Sequence, residues 1–184
     1  LKFSFNLSPL QFHDPDLVTR LVTILDEAGM PRNALEVEIT ETVFIDDSRR
    51  AKTIIDGLRA AGIAVALDDF GKGYSSLDYL SRFAVDKLKI DRSFIIGRKD
   101  DEKVGKIVDT LIRLGASLGI ETTAEGIETA EDAIWLADHG CVLGQGFHYA
   151  RPMPLLSAFQ FLEKHSRRAP DADEAPGNAQ ALRV

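Results

Sequence analysis

The stretch that decides the fold runs from Leu67 to Leu77 and reads LDDFGKGYSSL. It follows an apolar run, Ile63 to Leu67, whose alternating large and small side chains predict a short buried strand. Asp68 and Asp69 come directly after that strand, where two carboxylates repel each other and resist desolvation, so a positive charge or a cation is expected beside them. The competing interpretation is a solvated acidic turn that caps a helix.

Length and composition bound the possible classes of protein. The chain has 184 residues, 45% of them hydrophobic, which suits one substantial globular core. A net charge of −7 argues against a general nucleic-acid surface, so no DNA partner is expected. Cys141 is the only cysteine, which excludes an internal disulfide and favours a cytoplasmic setting.

No apolar run approaches the roughly 18–20 residues of a membrane span, so we expect no membrane contact by this segment. A longer protein containing it could still be membrane-tethered. The chain begins at Leu1, in a run typical of a strand, and we expect it to be a piece of such a longer protein.

Strand and helix patterns alternate six times along the chain. Apolar alternation predicts strands over 2–7, 35–40, 63–67, 86–91, 120–124 and 140–143. Helical periodicity predicts helices over 16–28, from about 48 to Gly62, over 102–118, over 130–138 and after Pro154. This order predicts parallel strands, in either an open α/β sheet or part of a (β/α) barrel, with the chemistry at the carboxyl ends of the strands.

Each predicted strand ends in a residue that can bind a metal ion or an oxyanion. Glu36 and Glu38 share one face of their strand, as Lys87 and Lys89 do, and we interpret Glu36 with Lys87 as a buried structural pair one layer below the site. The full set of strand-end residues is Asn6, Glu38, Asp68, Asp69, Lys89, Glu125 and Gln145.

The carboxylates in this set favour a hard cation. Glu38, Asp68, Asp69 and Glu125 offer oxygen ligands without sulfur, which selects Mg²⁺ or Mn²⁺ over zinc, and four carboxylates suggest two ions. Such a pair of metals activates water for phosphoryl chemistry. Lys89 is then expected to orient that water or stabilise the leaving oxygen, although it could instead simply offset the acidic cluster.

Six motifs in order resemble the EAL domain, a family of cyclic-di-GMP phosphodiesterases. They are FNLS (5–8), EITE (38–41), DDFGKGYSSL (68–77), KID (89–91), AEGIET (124–129) and GQG (144–146). The resemblance implies an α/β fold, a (β/α)8 TIM-like barrel, of which this chain carries about six of eight units in residues 1–165. Residues 166–184 are expected to be a tail or linker.

The resemblance also implies a role for individual residues. It implies Asn6, Glu38, Asp68, Asp69 and Glu125 as metal ligands for two ions. Lys89, Glu125 and Asp69 are implied as catalytic, and Gln145, Asp91 and Ser75 as residues that support the site or the substrate. Glu41 matches the glutamate that braces the loop from Phe70 to Ser76, through which the family couples dimerisation to metal binding.

The implied reaction is hydrolysis of cyclic-di-GMP to linear pGpG. The resemblance implies two kinds of partner. One is a second copy of the chain in a homodimer, and the other is a sensory, receiver or GGDEF domain upstream in the same protein. The alternatives are a catalytically inactive EAL domain that serves as a cyclic-di-GMP receptor or regulatory module, and an unrelated barrel lyase with one Mg²⁺. The family's Glu-Ala-Leu triplet does not occur in this chain, and the first two of the eight barrel units are missing with it. Because an incomplete barrel exposes two strand edges, we expect the 184 residues alone to be unstable, or to be completed by another chain, and to have little activity.

Overall fold

A computed structural model describes residues 2–46, 48–71, 80 and 82–166. Its centre is a sheet in which each strand runs parallel to its neighbours, in the order of the sequence. The strands are β1 (Phe3–Asn6), β2 (Leu35–Thr40), β3 (Ala64–Phe70), β4 (Lys87–Ile90), β5 (Glu121–Ala124) and β6 (Leu143–Gly144).

Helices connect the strands and cover one face of the sheet. They are α1 (Leu17–Glu27), α2 (Thr42–Asp46), α3 (Ser48–Ala60), α4 (Arg92–Gly97), α5 (Glu102–Leu118), α6 (Ala130–Asp138) and α7 (Leu155–Ser166). Single 3-10 turns lie at Gln11–His13 and Arg32–Ala34. A capping box begins α6, with Thr129 and Asp132 exchanging side-chain and backbone hydrogen bonds.

The strand order distinguishes between the two architectures that the sequence left open. A doubly wound sheet reverses its order near the middle, whereas these strands follow one another from β1 to β6. The sheet is therefore an arc of a (β/α) barrel, with six of its strands present. β1 and β6 form the two edges of the described sheet.

The two faces of the sheet differ in polarity, as alternation along the strands predicts. Val37, Ile39 and Leu88 are fully buried within the apolar cluster formed with the helices. The opposite face, with Glu36, Glu38, Lys87 and Lys89, borders an interior cavity of about 610 Å³. A polar barrel interior thus leads up to the carboxyl ends of the strands.

Two strands differ from the sequence-based prediction by more than one residue at an end. β3 continues through Asp68 and Asp69 to Phe70 instead of ending at Leu67, because a register shift between Leu67 and Phe70 lets both acidic residues stay in the strand. β6 covers Leu143–Gly144 and not 140–143. Gly140 has a φ of +84°, which ends the preceding turn before the strand can begin.

Two short helices, α2 and α4, were not predicted, because neither is long enough to show a periodic apolar pattern. None of the described helices is long and apolar enough to cross a bilayer. The predicted tail lies outside the described residues from 167 onward.

Candidate functional site

Three carboxylates from three strands converge on one ammonium group. The Lys89 Nζ, from β4, lies 2.6 Å from Glu38 Oε2 on β2 and 2.6 Å from Glu125 Oε1 after β5. The same nitrogen lies 3.3 Å from Asp68 Oδ1 on β3. The lysine side chain is only 5% exposed. The convergence expected at the carboxyl ends of these strands is therefore present.

The cluster holds Lys89 in its charged form. Burial lowers the pKa of Lys89, but the hydrogen bonds that it donates to Glu125 and Glu38 and their negative charges raise it more, so the pKa lies above that of an ordinary lysine. A lysine that keeps its proton cannot act as a base, and it can act as a fixed positive charge.

The pKa of Glu125 is raised as well. Burial raises the pKa of its carboxyl, Lys89 lowers it, and the charges of Asp68 and Glu38 raise it again, so that the pKa lies above its usual value. The site thus has more negative charge than one ammonium offsets. Glu125 is consequently a better proton acceptor than an ordinary glutamate.

A β-bulge explains how two consecutive acidic residues occupy the same strand end. Leu67 pairs with Leu88 and Phe70 pairs with Ile90, which leaves Asp68 and Asp69 together opposite a single residue. Asp69 has a φ of +56°, the only left-handed non-glycine backbone among the described residues. Aspartate tolerates this region better than most residues, and such conformations concentrate at functional sites.

A second charged layer lies beneath the first. Lys87 Nζ is 2.6 Å from Glu36 Oε2, and Ser4 Oγ donates a 3.0 Å hydrogen bond to Glu36 Oε1. The predicted buried pair between Glu36 and Lys87 is confirmed.

Glu41 contacts the start of the loop that follows β3. Its Oε1 accepts a 3.3 Å hydrogen bond from the Gly71 backbone N–H. The residues after Gly71, including Ser75, lie outside the described residues up to 79. The loop-bracing role of Glu41 therefore has one observed contact, and the predicted role of Ser75 stays a prediction.

The other predicted site residues lie at the same edge of the sheet as the Lys89 cluster. Asn6 stands beside Glu38 in the register and is exposed. Gln145 is exposed too, and its backbone N–H donates 2.9 Å to the Ala124 carbonyl. Asp91 caps α4, accepting a 2.8 Å hydrogen bond from the Ser93 backbone. Asn6 and Gln145 therefore border the cluster from its two flanks, and Asp91 fixes the helix that begins beside it.

The donor set suits hard cations. Among the residues that the structure describes, no three acidic, histidine or cysteine side chains are already gathered as a metal cluster. Three carboxylates surround the Lys89 ammonium instead. Their oxygen chemistry, and the excess of three carboxylates over one ammonium, fit Mg²⁺ or Mn²⁺.

Sequence reasoning missed two hydroxyls that border the same cavity. The buried Thr123 Oγ1 and the Tyr149 Oη have no hydrogen-bond partner within the described part of the chain. Thr123 stands beside Lys89 in the register of β4 and β5. The sequence carried a signal for Thr123. Alternation along β5 places Glu121 and Thr123 on the face that Lys87 and Lys89 occupy on β4, and Thr122 on the other face. Both hydroxyls can bind water or a ligand.

Solved structures share this architecture. The EAL domain of Mycobacterium smegmatis DcpA matches with a TM-score of 0.84 and 37% identity, over 89% of this chain and 74% of that one. BlrP1 of Klebsiella pneumoniae, in a complex with manganese and cyclic-di-GMP, matches with a TM-score of 0.77 and 38% identity, over 82% and 39%. Another structure of BlrP1 holds calcium with the same dinucleotide.

Sequence comparison gives the same relationship. The cyclic di-GMP phosphodiesterase RocR of Pseudomonas aeruginosa is 34% identical over 154 residues, which are 84% of this chain and 39% of RocR. The chain spans only 19% to 23% of the first curated relatives it matches. The sequence model of the EAL domain matches residues 1–152. The chain therefore belongs to the EAL domain family.

Proposed function

We propose that this chain forms most of the active site of a phosphodiesterase that hydrolyses cyclic-di-GMP to linear pGpG with two Mg²⁺ or Mn²⁺ ions. The observation that carries the proposal is the convergence of Glu38, Asp68 and Glu125 on Lys89 at the carboxyl ends of four strands. Relatives named as cyclic di-GMP phosphodiesterases, and a related structure that holds manganese with the dinucleotide, support it.

The proposed metal ligands are Asn6, Glu38, Asp68, Asp69 and Glu125. When bound, the ions lower the pKa of a water molecule and neutralise charge on the phosphate. The bulge after Leu67 keeps both Asp68 and Asp69 at the strand end, where their carboxylates would hold the ions.

Lys89 and Glu125 divide the remaining chemistry. Glu125, with its raised pKa, is suited to take a proton from the attacking water. The water oxygen bonds to phosphorus, the P–O3′ bond breaks, and the O3′ oxygen gains a proton, which leaves a 5′-phosphate on pGpG. Lys89, held protonated, stabilises the negative charge that develops on the phosphate oxygens.

Gln145, Asp91 and Ser75 are proposed to support the site, and Glu41 to brace the loop after β3. We further propose a cytoplasmic homodimer in which that loop links association to metal binding. The small share of the curated relatives that this chain spans supports additional domains in the complete protein.

Incubation of the full-length protein with cyclic-di-GMP and Mg²⁺ or Mn²⁺, followed by chromatography of the nucleotides, tests the reaction. We expect pGpG to accumulate, and a metal chelator to stop it. Intact cyclic-di-GMP after long incubation, with tight binding of the dinucleotide, would instead support the receptor alternative.

A further inference from the structure

The interior of the barrel carries four charges in two layers. Glu38 with Lys89 forms the upper layer, and Glu36 with Lys87 forms the lower one, with nitrogen–oxygen distances of 2.6 Å in each. Residues 87 and 89 are two positions apart on β4, so the layers are separated by about 6.6 Å. All four side chains border the same cavity.

The lower pair is buried, and Glu36 is fixed in place. Glu36 is 3% and Lys87 12% exposed at the side chain. Glu36 Oε1 accepts a hydrogen bond from the Ser4 hydroxyl, whereas Oε2 has no hydrogen-bond partner within the described residues and is held by the charge of Lys87 at 2.6 Å. Lys2 and Glu121 border the cavity as well, but both are exposed, so solvent screens their charges.

We propose that Glu36 is a positioning residue for the metals, because it neutralises Lys87 and so keeps that ammonium from opposing cation binding one layer above. The inference rests on the proposed metal-dependent function and adds to it a residue outside the ligand set. Without Glu36, the Lys87 charge would face divalent ions through a buried interior, where charges are poorly screened. Its side chain would also be free to approach Glu38 through the shared cavity.

This mechanism predicts that removing the lysine compensates for removing the glutamate. Glu36→Gln, which keeps an acceptor for Ser4, is expected to weaken Mn²⁺ binding by about 10–100-fold, the range typical for a residue behind a metal ligand. The double variant with Lys87→Met is expected to return to within about threefold of the wild type, since no unpaired charge remains. Lys87→Met alone is expected to bind Mn²⁺ no more weakly than the wild type.

Isothermal titration of the full-length protein with Mn²⁺ alone, without nucleotide, measures these affinities. Circular dichroism of the metal-free proteins shows that each variant is folded. Asp56→Asn, which removes the exposed pair of Asp56 with Lys52, is the matched control and is expected to change nothing.

A folded Glu36→Gln protein with wild-type Mn²⁺ affinity would overturn the proposal, as would a double variant no better than Glu36→Gln. If Glu36→Gln does not fold, a tenfold loss of affinity in Lys87→Met would overturn it, because the proposal forbids that loss. Failure of the wild type to bind Mn²⁺ is a different result, and it would contradict the proposed function itself.

Discussion

Replacing Lys89 with methionine tests whether its positive charge offsets the negative charge of the surrounding carboxylates. The substitution keeps an apolar stem of similar length and removes the ammonium that three carboxylates contact. Breaking a buried ion pair by removing one partner costs about 3–5 kcal/mol, because the remaining charge is left without compensation. For a domain of this size that corresponds to a decrease in Tm of about 6–20 °C.

The loss of stability in Lys89→Met should depend on pH and on metal. The pKa of Glu125, which burial already raises, should rise further without the ammonium, so folding takes up a proton and the deficit in the free energy of unfolding grows as the pH rises above the ordinary pKa of a glutamate. Mn²⁺ should restore much of the lost stability, since a bound cation replaces the missing charge. Turnover of cyclic-di-GMP should fall by about 10²–10³-fold even with metal bound.

Calorimetry of the full-length protein at pH 5 and pH 8, with and without Mn²⁺, measures the stability effects. Lys106→Met is the matched control, because Lys106 forms an exposed pair with Glu102 that contributes little. An unchanged Tm in metal-free Lys89→Met at pH 8 would refute the reasoning about charge balance. Near-normal turnover would refute the catalytic role of Lys89.

Asp68→Asn is expected to abolish turnover while circular dichroism shows an unchanged fold, because asparagine keeps the shape of a metal ligand and loses its charge. Asp132→Asn is expected to lower the free energy of unfolding by about 3–5 kcal/mol, measured in urea at pH 7, since it leaves the buried Arg98 without its carboxylate. Burial raises the pKa of Asp132, but Thr129 and the charges of Lys99 and Arg98 lower it more, below its usual value. The wild-type advantage should therefore be full above about pH 4 and disappear as the pH falls through the folded pKa. Gly146→Ala is expected to destabilise the end of β6, as judged by a lower Tm, because a Cβ there would overlap the backbone of Ile127.

Each of these predictions has a result that would contradict it. Normal rates in Asp68→Asn would exclude its role as a metal ligand. An Asp132→Asn deficit that persists unchanged at pH 2 would mean that the carboxylate charge is not its cause. An unaltered Tm in Gly146→Ala would show that the backbone at the end of β6 can move away from Ile127.

The sequence predicted most of what positions the site. Alternation in LEVEIT placed Glu36 and Glu38 on one face, and the strand and its polar end are confirmed by β2. The pairing of Glu36 with Lys87 followed from the same parity and a parallel sheet. These features were predictable because buried strands separate their side chains with a strict period of two.

Other features depend on contacts that a local pattern does not carry. The bulge at Asp68 and Asp69 depends on how β3 is aligned with β4, so the sequence indicated a strand end where the structure continues the strand. The sequence predicted only that polar side chains meet at the carboxyl ends of the strands. That Lys89 lies at the centre, in contact with Glu38, Asp68 and Glu125, is seen only in the folded site. The short helices α2 and α4 are stabilised by tertiary packing, which periodicity cannot reveal.

The location of bound metal tests the proposed two-metal site most directly. A crystal of the full-length protein grown with Mn²⁺ and cyclic-di-GMP, with data collected at the manganese absorption edge, would show anomalous density at each ion. We expect two peaks about 3.5–4 Å apart, bounded by Glu38, Asp68 and Glu125 with Lys89 beside them. A single peak, or peaks away from these carboxylates, would contradict the two-metal site on which the proposed reaction depends.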